Sequence, residues 1–103
     1  MVGQSLNLEG NNAMKTEHQR IVRLIAESIY GKPIPYRRGS LSDSIFDASA
    51  WLSYEDDDRA MALEYVAWLS DEAPEDITTE QLLGELESIY PGALAIYKKS
   101  TQY

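Results

Sequence analysis

The sequence predicts an all-α protein: a small bundle of four main helices with a short C-terminal helix. Three observations carry this reading. Apolar residues recur at spacings of three and four in several segments. Pro and Gly stand where those segments should stop, as at Gly31, Pro33 and Pro91-Gly92. No segment shows the alternation of a half-buried strand. The expected helices cover about 16–30, 41–53, 57–70, 78–90 and 92–99.

Residues 1–14, MVGQSLNLEGNNAM, are polar, aperiodic and rich in Gly and Asn. They are expected to form a flexible leader before a single helical domain spanning 15–103. Thr16 with Gln19 reads as a capping box for the first helix, and Ile21, Leu24, Ile25 and Ile29 as its apolar face. Arg20, Arg23 and Glu27 lie on its other side, and Gly31 is placed as a left-handed C-cap.

KPIPYRRG, 32–39, is a loop, with Ile34 or Tyr36 positioned to pin it to the core. Its Arg37-Arg38 corner reads as a solvated connector rather than an anion site, because two arginines are a weak signal. Ser40 and Asp43 form a capping pair for the second helix, whose apolar surface comes from Ile45, Phe46, Ala48, Leu52 and Trp51. Its serines weaken intrinsic helicity, so it must lean on tertiary packing.

The third helix grows out of EDDDRAMALEYVAWL, 55–69. Its acids suit a helix N-terminus, where one Asp caps the backbone and the others oppose the positive dipole end. From Met61 to Leu69 it is apolar on nearly every side, which predicts the central, buried helix of the bundle. Asp71 to Asp76, interrupted by Pro74, is expected to be an acidic connector. Thr78 and Gln81 then make a capping box, with Ile77 and Leu82 as a hydrophobic staple. Leu82, Leu86, Ile89 and Tyr90 line one face of this fourth helix, and Glu80, Glu85 and Glu87 lie away from it. The last helix is expected to start with Pro91 in its first turn and end on Lys98 and Lys99.

With 44% hydrophobic residues, 103 residues suffice for one core. The absence of cysteine excludes disulfides, thiolate zinc sites and cysteine nucleophiles. No apolar run has the length of a membrane span and no signal-peptide pattern opens the chain, so a cytoplasmic protein is expected. The net charge of −8 is unevenly spread: +3 over residues 1–40, −13 over 41–90 and +2 over 91–103.

Catalysis is poorly provisioned. His18 is the sole histidine, and in the first turn of a helix it reads as an ordinary surface residue. No nucleophile has an evident base beside it, so no catalytic residue is assigned and an enzyme is not expected. Glu55-Asp56-Asp57-Asp58 lacks the alternating ligands and central Gly of an EF-hand loop, so no metal site is assigned. Core packing accounts for Tyr65, Trp68 and Phe46. Trp51, Tyr54 and Tyr36 are the aromatics expected to be exposed, and Trp51 and Tyr54 the interface anchors.

Capping and dipole effects explain about three of the acids at 55–58, not the crowding across fifty residues. The functional expectation is a non-enzymatic interaction module that binds a basic protein surface by salt-sensitive association. Its extreme form is an inhibitor that imitates nucleic acid in the groove of a nucleic-acid-binding protein. The chain would contact neither nucleic acid nor membrane itself. The candidate partner-binding residues are Glu55, Asp56, Asp57, Asp58, Asp71, Glu72, Glu75, Asp76 and Glu80.

QRIVRLIAESIYG, 19–31, is similar to the first helix of acyl carrier proteins. MALEY, 61–65, and EDITTEQL, 75–82, resemble the end of that family's second helix and the lead into its last. The resemblance implies an acidic helix that recognises basic enzyme surfaces and a phosphopantetheine-bearing serine in an Asp-Ser-Leu motif. Ser53 stands at the matching distance before MALEY but between Leu52 and Tyr54; Asp43-Ser44-Ile45 is closer in local sequence but lies nine residues earlier. A carrier protein is therefore the alternative expectation, and a structural oligomer subunit the third.

Overall fold

The computed structural model describes residues 14–36 and 39–101. Five helices succeed one another: α1 (Thr16–Tyr30), α2 (Leu41–Leu52), α3 (Asp57–Glu72), α4 (Thr79–Ile89) and α5 (Ala93–Ser100). Among the described residues there is no strand. The all-α bundle is the one expected, with ends within two residues of those predicted from caps and breakers. The expected leader, Met14 excepted, and the Arg37-Arg38 corner lie outside the described residues.

α1 shares the centre of the bundle with α3. It packs against all four other helices, whereas α3 reaches α1, α2 and α4 and packs most extensively against α2. The reason is visible in the side chains. His18, Ile21, Val22, Ile25, Ala26 and Ile29 form a continuous buried stripe at helical spacing. The buried residues of α3 are fewer and mostly small: Ala60, Leu63, Val66, Ala67 and Ser70.

The start of α1 departs from expectation at four residues, Met14, Thr16, His18 and Gln19. Lys15, not Thr16, occupies the N-cap and makes no side-chain cap. Gln19 instead donates from Nε2 to the Met14 carbonyl, 2.8 Å away. Met14, expected in the leader, is 5% exposed and belongs to the core. His18, expected in water, is 3% exposed. Its Nε2 lies 3.0 Å from Thr79 Oγ1 at the start of α4, while the buried Nδ1 has no partner. His18 continues the helical spacing of Ile21, Val22, Ile25 and Ile29 and so falls on the buried stripe.

The far end of α1 follows its Gly signal. Gly31 adopts φ 88° and its N–H donates to Glu27 O, 2.8 Å away. Arg59 from α3 covers another terminal carbonyl: its Nε donates to Ile29 O at 2.9 Å and its Nη2 donates to the same oxygen. Arg59→Ala leaves that carbonyl unpaired and is expected to lower stability by about 1–3 kcal/mol. Arg59→Lys should recover only part of this, since a lysine cannot reproduce the planar fork; denaturant titration of both variants checks it. Glu27 accepts from the Ile34 N–H at 2.9 Å, and the Arg23 guanidinium lies 4.1 Å over the Tyr36 ring. Ile34 is buried and Tyr36 half-buried, so both pin the loop.

Ser40 and Asp43 form both halves of their capping box at the start of α2. The serines that weaken this helix are mostly inside it, with Ser42, Ser44 and Ser49 buried beside Ile45, Ala48 and Leu52. The α2–α3 pair packs most extensively of all, because small buried residues on both helices let their axes lie close. Asp56 caps α3 by accepting from the Arg59 N–H at 3.1 Å. Asp71 and Glu72, expected in the connector, form the last turn of α3.

The Thr78–Gln81 box forms as expected, and both staple residues, Ile77 and Leu82, are buried. Glu87, expected to lie away from the packed face, reaches back to accept from the backbone N–H groups of Gly92 and Leu94, at 3.1 Å and 2.9 Å. It thereby caps α5, whose N-cap is Gly92 at φ 105°, with Pro91 outside the helix rather than in its first turn. These two hydrogen bonds hold the Glu87 carboxyl below the ordinary glutamate value of 4.5. A depressed carboxylate stabilises the fold fully above its unfolded value, and that contribution is lost as pH falls through the folded one. Thermal melts from neutral to acid pH should show wild type losing stability relative to Glu87→Gln in this window; parallel curves would dismiss the capping role.

Candidate functional site

The exposed side of α3 is the least expected surface of the protein. Met61 is 53% exposed, Tyr65 45% and Trp68 46%, although all three were expected in the core. A helical wheel explains them. Ala60, Leu63, Val66, Ala67 and Ser70 occupy one arc of α3, and Asp57, Met61, Trp68 and Glu72 run along the opposite one, with Tyr65 beside them. α1, α2 and α4 cover the first arc, and among the described residues no further helix lies over the second. Trp68 is held in place: Phe46 of α2, itself half-buried, meets it edge-to-face with centroids 6.4 Å apart, and Tyr65 lies 5.7 Å away.

This aromatic stripe has an acidic pole at each end. Asp57 and Asp58 are exposed in the first turn of α3, Asp71 and Glu72 in its last. At 1.5 Å per residue the poles stand about 20 Å apart. Glu75 and Asp76 are exposed on the connector after α3, and Glu80 is exposed in the first turn of α4. Asp56 is the exception, held in the cap of α3 and 3.9 Å from Arg59, the one ion pair among the described residues. With both partners about two-fifths exposed, it contributes little to stability.

Between the C-terminal half of α3 and α4 lies a groove of about 340 Å³. Tyr65, Trp68, Leu69, Ile77 and Ile89 line it, and the exposed Glu72 and Glu85 border it. A second cleft, of about 400 Å³, lies beside α2 and is lined by Tyr30, Lys32, Asp43, Asp47, Trp51 and Glu55 among others. Trp51 and Tyr54 are 69% and 84% exposed, as expected, with rings 6.2 Å apart. Glu55 therefore stands with Trp51 rather than on the α3 stripe.

The two candidate attachment serines differ in access. Ser44 is 6% exposed within α2. Ser53 is exposed at the C-cap of α2, its hydroxyl donating to Ala50 O at 2.7 Å. Among the described residues no group of three or more His, Asp or Glu is placed to hold a metal ion. Among the same residues no helix is long and apolar enough to cross a membrane. No family model, curated protein or solved structure matches the chain.

What the sequence reading missed is the stripe itself. The signal was present in the composition of the segment. A helix apolar on all sides needs neighbours on all sides, and a bundle of this size does not supply them. The position of Asp71 and Glu72, acids that oppose the dipole in a last helical turn, is shown only by the structure.

Proposed function

We propose that the protein is a non-enzymatic interaction module that docks onto a basic surface of a partner protein through the exposed side of α3. The observation that carries this is the exposed Met61–Tyr65–Trp68 stripe set between two acidic poles. Exposed aromatics supply contact area at low entropic cost, and the surrounding acids steer a cationic partner and exclude an anionic one. The aromatic centre favours a protein partner with an apolar core to its basic surface over a purely phosphate-like imitation of nucleic acid. Nucleic acid and anionic membrane are repelled by the same charges.

The experiment is capture of a partner from the native host at low salt and at about 0.5 M salt, where charge interactions are screened within a few Å. The partner should be lost at high salt. It should also be lost at low salt when Asp57, Asp58, Asp71 and Glu72 are changed to Asn or Gln. Retention in either case sinks the reading. A carrier role rests on Ser53, the one candidate serine with an exposed side chain; an unchanged intact mass after co-expression with a phosphopantetheinyl transferase removes it. A symmetric oligomer through α3 would set like acidic poles near one another, so light scattering is expected to show a monomer.

A further inference from the structure

We infer that the groove between α3 and α4 receives an amphipathic helix of the basic partner, with one apolar side chain seated in the groove and Lys or Arg side chains over the bordering acids. This rests on the interaction-module reading above and adds the form and chemistry of what is bound. The groove has an apolar floor from Tyr65, Trp68, Leu69, Ile77 and Ile89, and Glu72 and Glu85 at its border. At about 340 Å³ it is an open groove with room for one large apolar side chain.

The form of the partner follows from what the groove offers. Its walls are α3, α4 and the connector residues Ala73, Pro74 and Ile77. The helices pair their backbone groups internally, the Ala73 and Ile77 N–H groups donate to Leu69 O and Pro74 O, and Pro74 has no N–H, so an extended segment would find side chains but no hydrogen-bonding edge. A helix brings its backbone groups already satisfied and needs only side-chain complementarity. Met61 to Glu72 spans about 16 Å of α3, three turns, which accommodates apolar anchors at i, i+4 and i+7 of a docked helix. Such anchors would meet Met61, Tyr65 and Trp68 in turn, ending at the groove. Basic residues flanking them would reach Asp57, Asp58, Asp71 and Glu72 at the poles and Glu85 across the groove. An apolar helix without basic residues gains nothing from these acids, and an acidic one is repelled.

Three labelled peptides test this on the full chain at low salt: a Leu/Lys peptide patterned as an amphipathic helix, a scrambled peptide of identical composition, and oligolysine. The patterned peptide should bind at least about tenfold more tightly than the scrambled one. Trp68→Ala and Glu85→Lys should each weaken it by about tenfold, and circular dichroism should show both variants folded. Trp68→Ala should leave oligolysine binding unchanged. If the scrambled peptide binds as tightly as the patterned one, or folded Trp68→Ala binds the patterned peptide normally, the helix-in-groove inference is overturned while the acidic-surface reading stands. If none of the three binds at low salt, both fall together.

Discussion

Leu63→Ala should lower stability by about 2–5 kcal/mol, while Trp68→Ala, five residues along the same helix, should lower it by only about 1–2 kcal/mol. Sequence ranks the two alike, as large apolar residues in an uninterrupted apolar segment. The structure separates them. Leu63 is 0% exposed, inside the core shared with α1 and α2; removing its side chain leaves a cavity that surrounding helices only partly close. Trp68 keeps nearly half its surface in water and loses mainly its contacts with Phe46 and Tyr65. Against a total of about 5–15 kcal/mol for a small protein, the first change brings the chain close to unfolding at ambient temperature. The effects on binding should invert: folded Trp68→Ala should lose about 2 kcal/mol of partner affinity, roughly 30-fold. Chemical denaturation and titration with the partner measure the two sides. A Trp68→Ala loss of stability equal to that of Leu63→Ala would place the indole in the core and remove the α3 stripe as a docking surface.

Asp71→Asn with Glu72→Gln should make the protein more stable and a poorer binder. Both acids stand in the last turn of α3, and no basic residue shares that turn. A negative charge there faces the negative end of the helix dipole, an effect of about 0.3–1 kcal/mol per charge at low salt. Removing both should raise stability by about 0.5–2 kcal/mol at low salt, a gain that fades as salt is added. Asp57 and Asp58 provide the internal control. In the first turn of the same helix they complement the dipole, and neutralising them should weaken both the fold and partner binding. Residues that oppose folding yet serve binding are the pattern expected where activity and stability conflict. If Asp71→Asn with Glu72→Gln leaves partner affinity intact at low salt, this pole is only a solvated helix end.

The elements were legible in the sequence because the interactions that start and stop a helix reach three or four residues. Ser40 with Asp43, Thr78 with Gln81 and Gly31 each act within their own turn and form as read, and Ile77 and Leu82 are both buried. Glu87 was less legible because its partners, Gly92 and Leu94, lie beyond the helix it belongs to. His18 was legible in principle: it continues the spacing of Ile21, Val22, Ile25 and Ile29, but an imidazole in a first turn gives no sign of a hydroxyl waiting on another helix. For the candidate acids, composition marked a segment without saying that Asp56 would be drawn into a cap or that Glu55 would stand with Trp51.

By itself, then, the sequence determined five helices, the N-terminal caps of α2, α3 and α4, an acidic middle and a core large enough to fold, because periodicity and capping are local physics. Only the tertiary structure decided which side of each helix is covered. α3 carries apolar residues on both arcs, and nothing within the helix distinguishes Leu63 from Trp68. The choice belongs to its neighbours: α1, α2 and α4 close over one arc, and among the described residues no further helix covers the other. The exposed aromatic stripe between acidic poles is the consequence, and it is where a partner should be sought.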